Sequence, residues 1–116
     1  MTDNQPKVRV LREGDSTFEE LAPGRETSQN IEEAGISEMG GGYFRQTAEG
    51  AEYTCELFGD EVMFVYEGEL EVITEDGSSF VATTGEAILV AKGQVVTFRG
   101  KVGTRHFWVI YPPIYE

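Results

Sequence analysis

From Gly40 onward the chain runs in short stretches where apolar and polar side chains alternate, separated by turns centred on glycine. A period of two is the signature of a strand with one buried face. The pattern predicts strands over residues 43–47, 52–58, 62–66, 70–74, 79–83, 95–99 and 104–111. Residues 87–90 (AILV) form a continuous apolar run and are expected to be buried. Glu75-Asp76-Gly77 supplies the Asp-Gly pair of a tight hairpin, and Pro112-Pro113 stops the last strand. Short, evenly spaced strands with glycine turns and no amphipathic helix define an all-β sandwich or barrel.

The first third is less regular. Residues 1–6 read as a frayed tail, and residues 7–12 (KVRVLR) alternate as a half-buried strand would. A turn follows at Glu13-Gly14-Asp15. Residues 16–22 fit either one helical turn, with Phe18 and Leu21 three apart, or extended chain, and Pro23-Gly24 ends them. The polar stretch 24–34 reads as a surface excursion carrying at most short strands. Gly40-Gly41-Gly42 permits a free bend or a close approach of another backbone. No Lys-Ser/Thr follows it, so it is not a phosphate-binding P-loop.

Composition narrows the setting. The 116 residues predict a single domain, and 40% hydrophobic residues are enough for one packed core. A net charge of −12 argues against nucleic acid and anionic membrane as partners, since both require clustered Lys and Arg. Cys55 is the only cysteine, so no intrachain disulfide forms. The start of the chain has no apolar signal-peptide region, and no run reaches membrane-span length. The expected location is the cytoplasm.

Two spaced motifs carry a resemblance. Glu61 is followed by six residues and then Gly68, while Gly50 stands one residue closer than usual to open the first motif. Gly85, five residues, Ala91-Lys92-Gly93, two residues, Val96, three residues and Gly100 reproduce the spacing of a second. Over residues 40–112 the chain resembles the cupin superfamily, which implies a jelly-roll β-barrel (a double-stranded β-helix). Residues 1–39 are then an N-terminal strand and irregular arm. The segment LFGDE…EGEL and the ending RHFWVIYP look most like the ethanolamine-utilisation protein Q (EutQ) group of small cupins.

The resemblance also sets expectations for the site. A typical cupin holds a divalent metal with three imidazoles and a carboxylate. Here Cys55, Leu57 and Val96 stand at the histidine positions, and only Glu61 keeps its ligand type. No metal and no cofactor are therefore expected, the residual route to a divalent metal being through Glu61. Alternation groups Tyr53, Cys55 and Leu57 on one face, which the resemblance makes the interior, with Glu61, Met63 and Val65 across the turn. Val96 and Phe98 belong to the opposite wall. On the last strand either His106 and Trp108 or Arg105 and Phe107 face inward. Tyr43 and Arg45 are further candidates to line the pocket.

Two functions compete. One is a metal-free cupin binding a small polar or carboxylated metabolite, an accessory to ethanolamine or related catabolism. The other is a lyase or isomerase with Glu61 as general acid or base, assisted by Tyr53 or His106. Cys55 enters as a nucleophile only if His106 serves as its base. Acetate kinase activity, associated with the EutQ group, is not carried over, because no nucleotide-binding motif is present. The resemblance further implies a homodimer, paired through sheet faces and an exchanged strand at residues 7–12.

Overall fold

The structure is a computed structural model, and it describes residues 8–112. Ten strands form two antiparallel sheets. They are β1 (Glu19–Ala22), β2 (Arg25–Thr27), β3 (Gly40–Gln46), β4 (Glu52–Glu56) and β5 (Asp60–Glu67), then β6 (Glu69–Thr74), β7 (Ser79–Thr83), β8 (Ala87–Val90), β9 (Val95–Gly100) and β10 (Arg105–Tyr111). The larger sheet has the order β1-β2-β3-β10-β5-β8, and the smaller β4-β9-β6-β7. Their inner faces enclose a core in which Met63, Val65, Leu70, Val72, Val96 and Ile110 are almost wholly removed from water. This is the expected all-β jelly-roll barrel, with each strand from β3 to β10 within a few residues of its predicted place.

The spacing of the first motif has a mechanical origin. Glu61 and Gly68 bracket β5, one near its start and the other just past its end. Gly68 has φ +89°, and a Cβ there would lie 2.7 Å from Thr104 Oγ1. That hydroxyl is committed to the adjacent backbone: it accepts from Glu69 N–H (3.1 Å) and donates to Glu69 O (2.9 Å). A residue without a side chain is thus required both by the left-handed turn and by the threonine behind it.

Several expectations are corrected. Of residues 7–12, Lys7 lies outside the described residues, and 8–12 form no strand. Val8 and Val10 alternate as expected but are 88% and 68% exposed, because this extended arm has no ladder to join within one chain. Residues 16–22 resolve toward extended chain as β1, after a 3-10 turn at Glu13–Asp15. The run 87–90 is not buried on both faces. β8 is the edge strand of the larger sheet, so Val90 points into the core while Leu89 is 70% exposed on the outer side. Between β2 and β3 a single helical turn, α1 (Asn30–Glu33), lies against β3.

Candidate functional site

A cavity of about 210 Å³ opens between the two sheets. Tyr53 and Cys55 of β4, Leu57 beyond it, and Glu61 and Met63 of β5 line one side. Phe98 of β9 and His106, Trp108 and Ile110 of β10 line others, and β2 contributes Arg25 and Thr27. The inward faces of β4, β5 and β9 are those expected. On β10, whose register the sequence left open, His106 and Trp108 point in. Pairing decides this: His106 lies opposite Phe44 of β3 and Val65 of β5, both buried, so it shares their face.

Tyr43 and Arg45 do not line the cavity. In β3 the inward positions are Phe44 and Gln46, so their neighbours emerge on the outer face. Tyr43 donates its hydroxyl to Leu11 O (2.8 Å) and packs edge-on against Phe107. Arg45 pairs with Glu26 at 2.7 Å and lies over the Phe18 ring. Val96 is buried as expected but lines a second pocket, bounded by β7 and β8, rather than this cavity.

Sequence reasoning missed Arg25. It sits in the polar stretch read as a surface excursion, yet it is only 2% exposed. Its Nη1 donates to Gln46 Oε1 (3.0 Å), and its guanidinium carbon lies 4.3 Å from the centre of the Phe44 ring. Gln46 is anchored in turn, its Nε2 donating to Gly100 O (2.6 Å) and Ala48 O (3.0 Å). Its burial follows from the pairing of β2 with β3, which the sequence does not show, and three residues of strand are too short to display alternation.

Four of the titratable groups lining the largely apolar cavity are shifted by their surroundings. Burial raises the Glu61 carboxyl to about 7. The Cys55 thiol is pushed to about 11, by burial first and by the neighbouring Glu61 second, with Arg25 acting weakly in the opposite sense. At neutral pH it is a thiol rather than a thiolate, and no hydrogen bond joins it to His106, so the arrangement does not make it a nucleophile. His106 is 3% exposed, stacked on Phe44 with ring centres 4.4 Å apart, and its Nδ1 has no hydrogen-bond partner. Burial, with Arg25 nearby, lowers it to about 3, so it is neutral. Burial also lowers Arg25, to about 10, which leaves it charged at neutral pH.

The residues at the cupin metal positions do not fit the metal of that fold. One thiol, one carboxylate and two aliphatic side chains, Leu57 and Val96, offer too few donors. Among the described residues no group of three or more His, Cys, Asp or Glu is gathered closely enough to hold an ion.

Two facing antiparallel sheets around such a cavity define a cupin. A structural match carries the same fold: an RmlC-like cupin from Shewanella frigidimarina superposes with a TM-score of 0.71 at 20% identity, over 93% of this chain and 94% of that one. More specifically, the chain belongs to the ethanolamine utilisation protein EutQ family, whose family model matches residues 25–116. A Salmonella typhimurium protein described as ethanolamine utilization protein Q is 26% identical, covering 90% of this chain and 86% of that one, with a TM-score of 0.76. A Rhizobium leguminosarum protein of unknown function is 30% identical over 92% of this chain and 99% of that one, with a TM-score of 0.73. No curated protein matches the chain.

Proposed function

We propose that this EutQ-family cupin binds a small metabolite inside its barrel without a transition metal, as an accessory to ethanolamine or related small-amine catabolism in the cytoplasm. The observation that carries this reading is the cavity itself. It occupies the barrel interior beside Glu61, is lined mostly by apolar side chains, and contains a few polar groups able to orient a ligand. At about 210 Å³ it is smaller than the roughly 300–1,000 Å³ of drug-sized sites, which suits a small metabolite rather than a nucleotide. Family membership supports the metabolic setting. No helix among the described residues is long and apolar enough to cross a membrane.

Elemental analysis of protein purified without an affinity tag, followed by a thermal-shift screen of small amines, alcohols, aldehydes and acids, tests both halves. The expected result is far less than one metal ion per chain and a saturable rise in melting temperature with at least one small ligand. Near-stoichiometric iron, manganese, nickel or zinc would refute the metal-free reading, and a screen without any saturable ligand would refute binding.

A second reading has one observation in its favour. Glu61 has a carboxyl raised to about 7 inside a cavity, and such a group exchanges protons readily near neutral pH. A lyase or isomerase using Glu61 as general base would lose turnover on Glu61→Gln while retaining ligand binding.

We also propose a homodimer formed through the outer face of the larger sheet. Cross-strand neighbours there build an apolar patch: Phe107 beside Phe64, and Val109 beside Val62, which neighbours Leu89. Phe64 is 46% exposed and Leu89 70%. The apolar arm around Val8 and Val10 would pair with the partner's sheet edge. Light scattering at micromolar concentration is expected to give twice the chain mass, and Phe64→Glu to give one chain mass. A monomeric wild type would rule the dimer out.

A further inference from the structure

We propose that the barrel cavity is an anion site: the Arg25 guanidinium takes the carboxylate of a small organic acid, and the apolar lining takes its short carbon chain. This rests on the small-molecule reading above and specifies the chemistry of its ligand.

Arg25 is a charge without a counter-charge among the described residues. Arg25 is 2% exposed, and ion pairing is the usual condition for burying a guanidinium. Other arginines of the barrel meet that condition: Arg45 with Glu26, Arg99 with Glu52 and Glu71, Arg105 with Glu13 and Glu67. Arg25 is different. Among the described residues no carboxylate lies within ion-pair distance of it, and its hydrogen bond is to a neutral amide, Gln46 Oε1. Its Nε has no partner at all. Glu61 does not fill the role. Both residues line the cavity, but no ion pair or hydrogen bond joins Glu61 to Arg25.

The surroundings select the anion. With Nη1 committed to Gln46 and Nε walled off from solvent, Nη2 is the donor left for a carboxylate entering the cavity, and a hydrogen bond from a charged donor to a carboxylate is of the strong, charge-assisted kind. His106, stacked on the same Phe44 ring and lacking a partner at Nδ1, adds one further polar group. One guanidinium and one neutral imidazole suffice for a single negative charge but leave a phosphate dianion under-compensated. Met63, Leu57 and Phe98 provide the apolar bed for a chain of a few carbons.

Butyrate and its neutral isostere butyramide are the probes, titrated into the full chain near neutral pH with amide and arginine Nε–H resonances observed by NMR. Butyrate is expected to saturate with resonances of the cavity lining and Arg25 moving, and to bind about tenfold or more tightly than butyramide. Arg25→Gln is expected to remove that preference. Equal or tighter binding of butyramide would overturn the anion assignment and leave small-molecule binding standing. No saturation by butyrate, or butyrate binding in the variant equal to wild type, would also overturn it. If Arg25→Gln does not fold, the wild-type comparison of the two probes decides alone.

Discussion

At pH 8.5 the Glu61→Gln variant melts about 10 °C above the wild type, and at pH 4.5 that advantage is gone. The cause is the carboxyl at the cavity wall. Burial raises it from 4.5 to about 7, so the folded protein holds this proton more tightly than the unfolded chain does. A raised carboxyl is fully accommodated below pH 4.5, where both states are protonated. Its contribution is lost as pH rises to about 7, because the folded state must then ionise a desolvated group. At about 1.4 kcal/mol per pH unit the loss amounts to about 3 kcal/mol. A neutral amide of the same shape avoids it. The comparison needs the variant because His106 masks the effect in the wild type. Its imidazole is lowered from 6.5 to about 3, so its contribution is present above 6.5 and is lost as pH falls toward 3. Between pH 4.5 and 6.5 the folded protein keeps one proton on Glu61 and the unfolded chain keeps one on the histidine, and the two slopes cancel. Thermal melts of both proteins across pH 4.5–8.5 check this. A melting difference that does not change with pH would show that Glu61 is well solvated.

Gly42→Ala is expected to cost about 3 kcal/mol or more and to lower the melting temperature by about 10 °C or more. A Cβ at Gly42 would stand 2.2 Å from Ser28 O, 2.7 Å from Ser28 C and 2.9 Å from Asn30 Oδ1. The first two are backbone atoms and cannot rotate aside. They are also fixed from the other side: Ser28 N–H donates to Tyr43 O (2.9 Å), and Ser28 Oγ accepts from Tyr43 N–H (2.9 Å). Relief would require moving the chain between β2 and β3. It would also disturb Thr27, the last residue of β2, whose hydroxyl accepts the Trp108 indole N–H (2.8 Å). Gly14→Ala is the control, since a Cβ there meets nothing within 4 Å, and it should stay within about 0.5 kcal/mol of wild type. Gly42→Ala melting within a degree or two of wild type would mean that the close approach is absent in solution.

Both variants show where sequence reading succeeded and where it stopped. The triple glycine allowed a bend or a close approach, and the structure chose the approach, with Gly40–Gln46 running straight as β3. Glu61 was legible as a carboxyl before an apolar run, but its raised proton affinity depends on what surrounds it across the cavity. Alternation says which residues share a face and is silent on which face turns inward. That left His106 and Trp108 undistinguished from Arg105 and Phe107, and it led Tyr43 and Arg45 to be placed inside when Phe44 and Gln46 hold those positions. An edge strand hides similarly: AILV reads as fully buried until the order of the sheet leaves β8 with one neighbour in its own sheet.

The sequence by itself determined the strands from β3 onward, the glycine turns and hence an all-β sandwich or barrel, because period-two hydrophobicity and left-handed turn residues are local properties, and the resemblance to cupins chose the barrel. It also determined that a three-imidazole metal site is missing, since Leu57 and Val96 are aliphatic in any fold. Only the tertiary structure decided that Arg25 is buried and that its hydrogen-bond partner is the neutral Gln46 rather than Glu61. Burial and pairing of charge are set by residues far apart in the chain, 21 positions from Arg25 to Gln46 and more across the cavity. No local pattern records them.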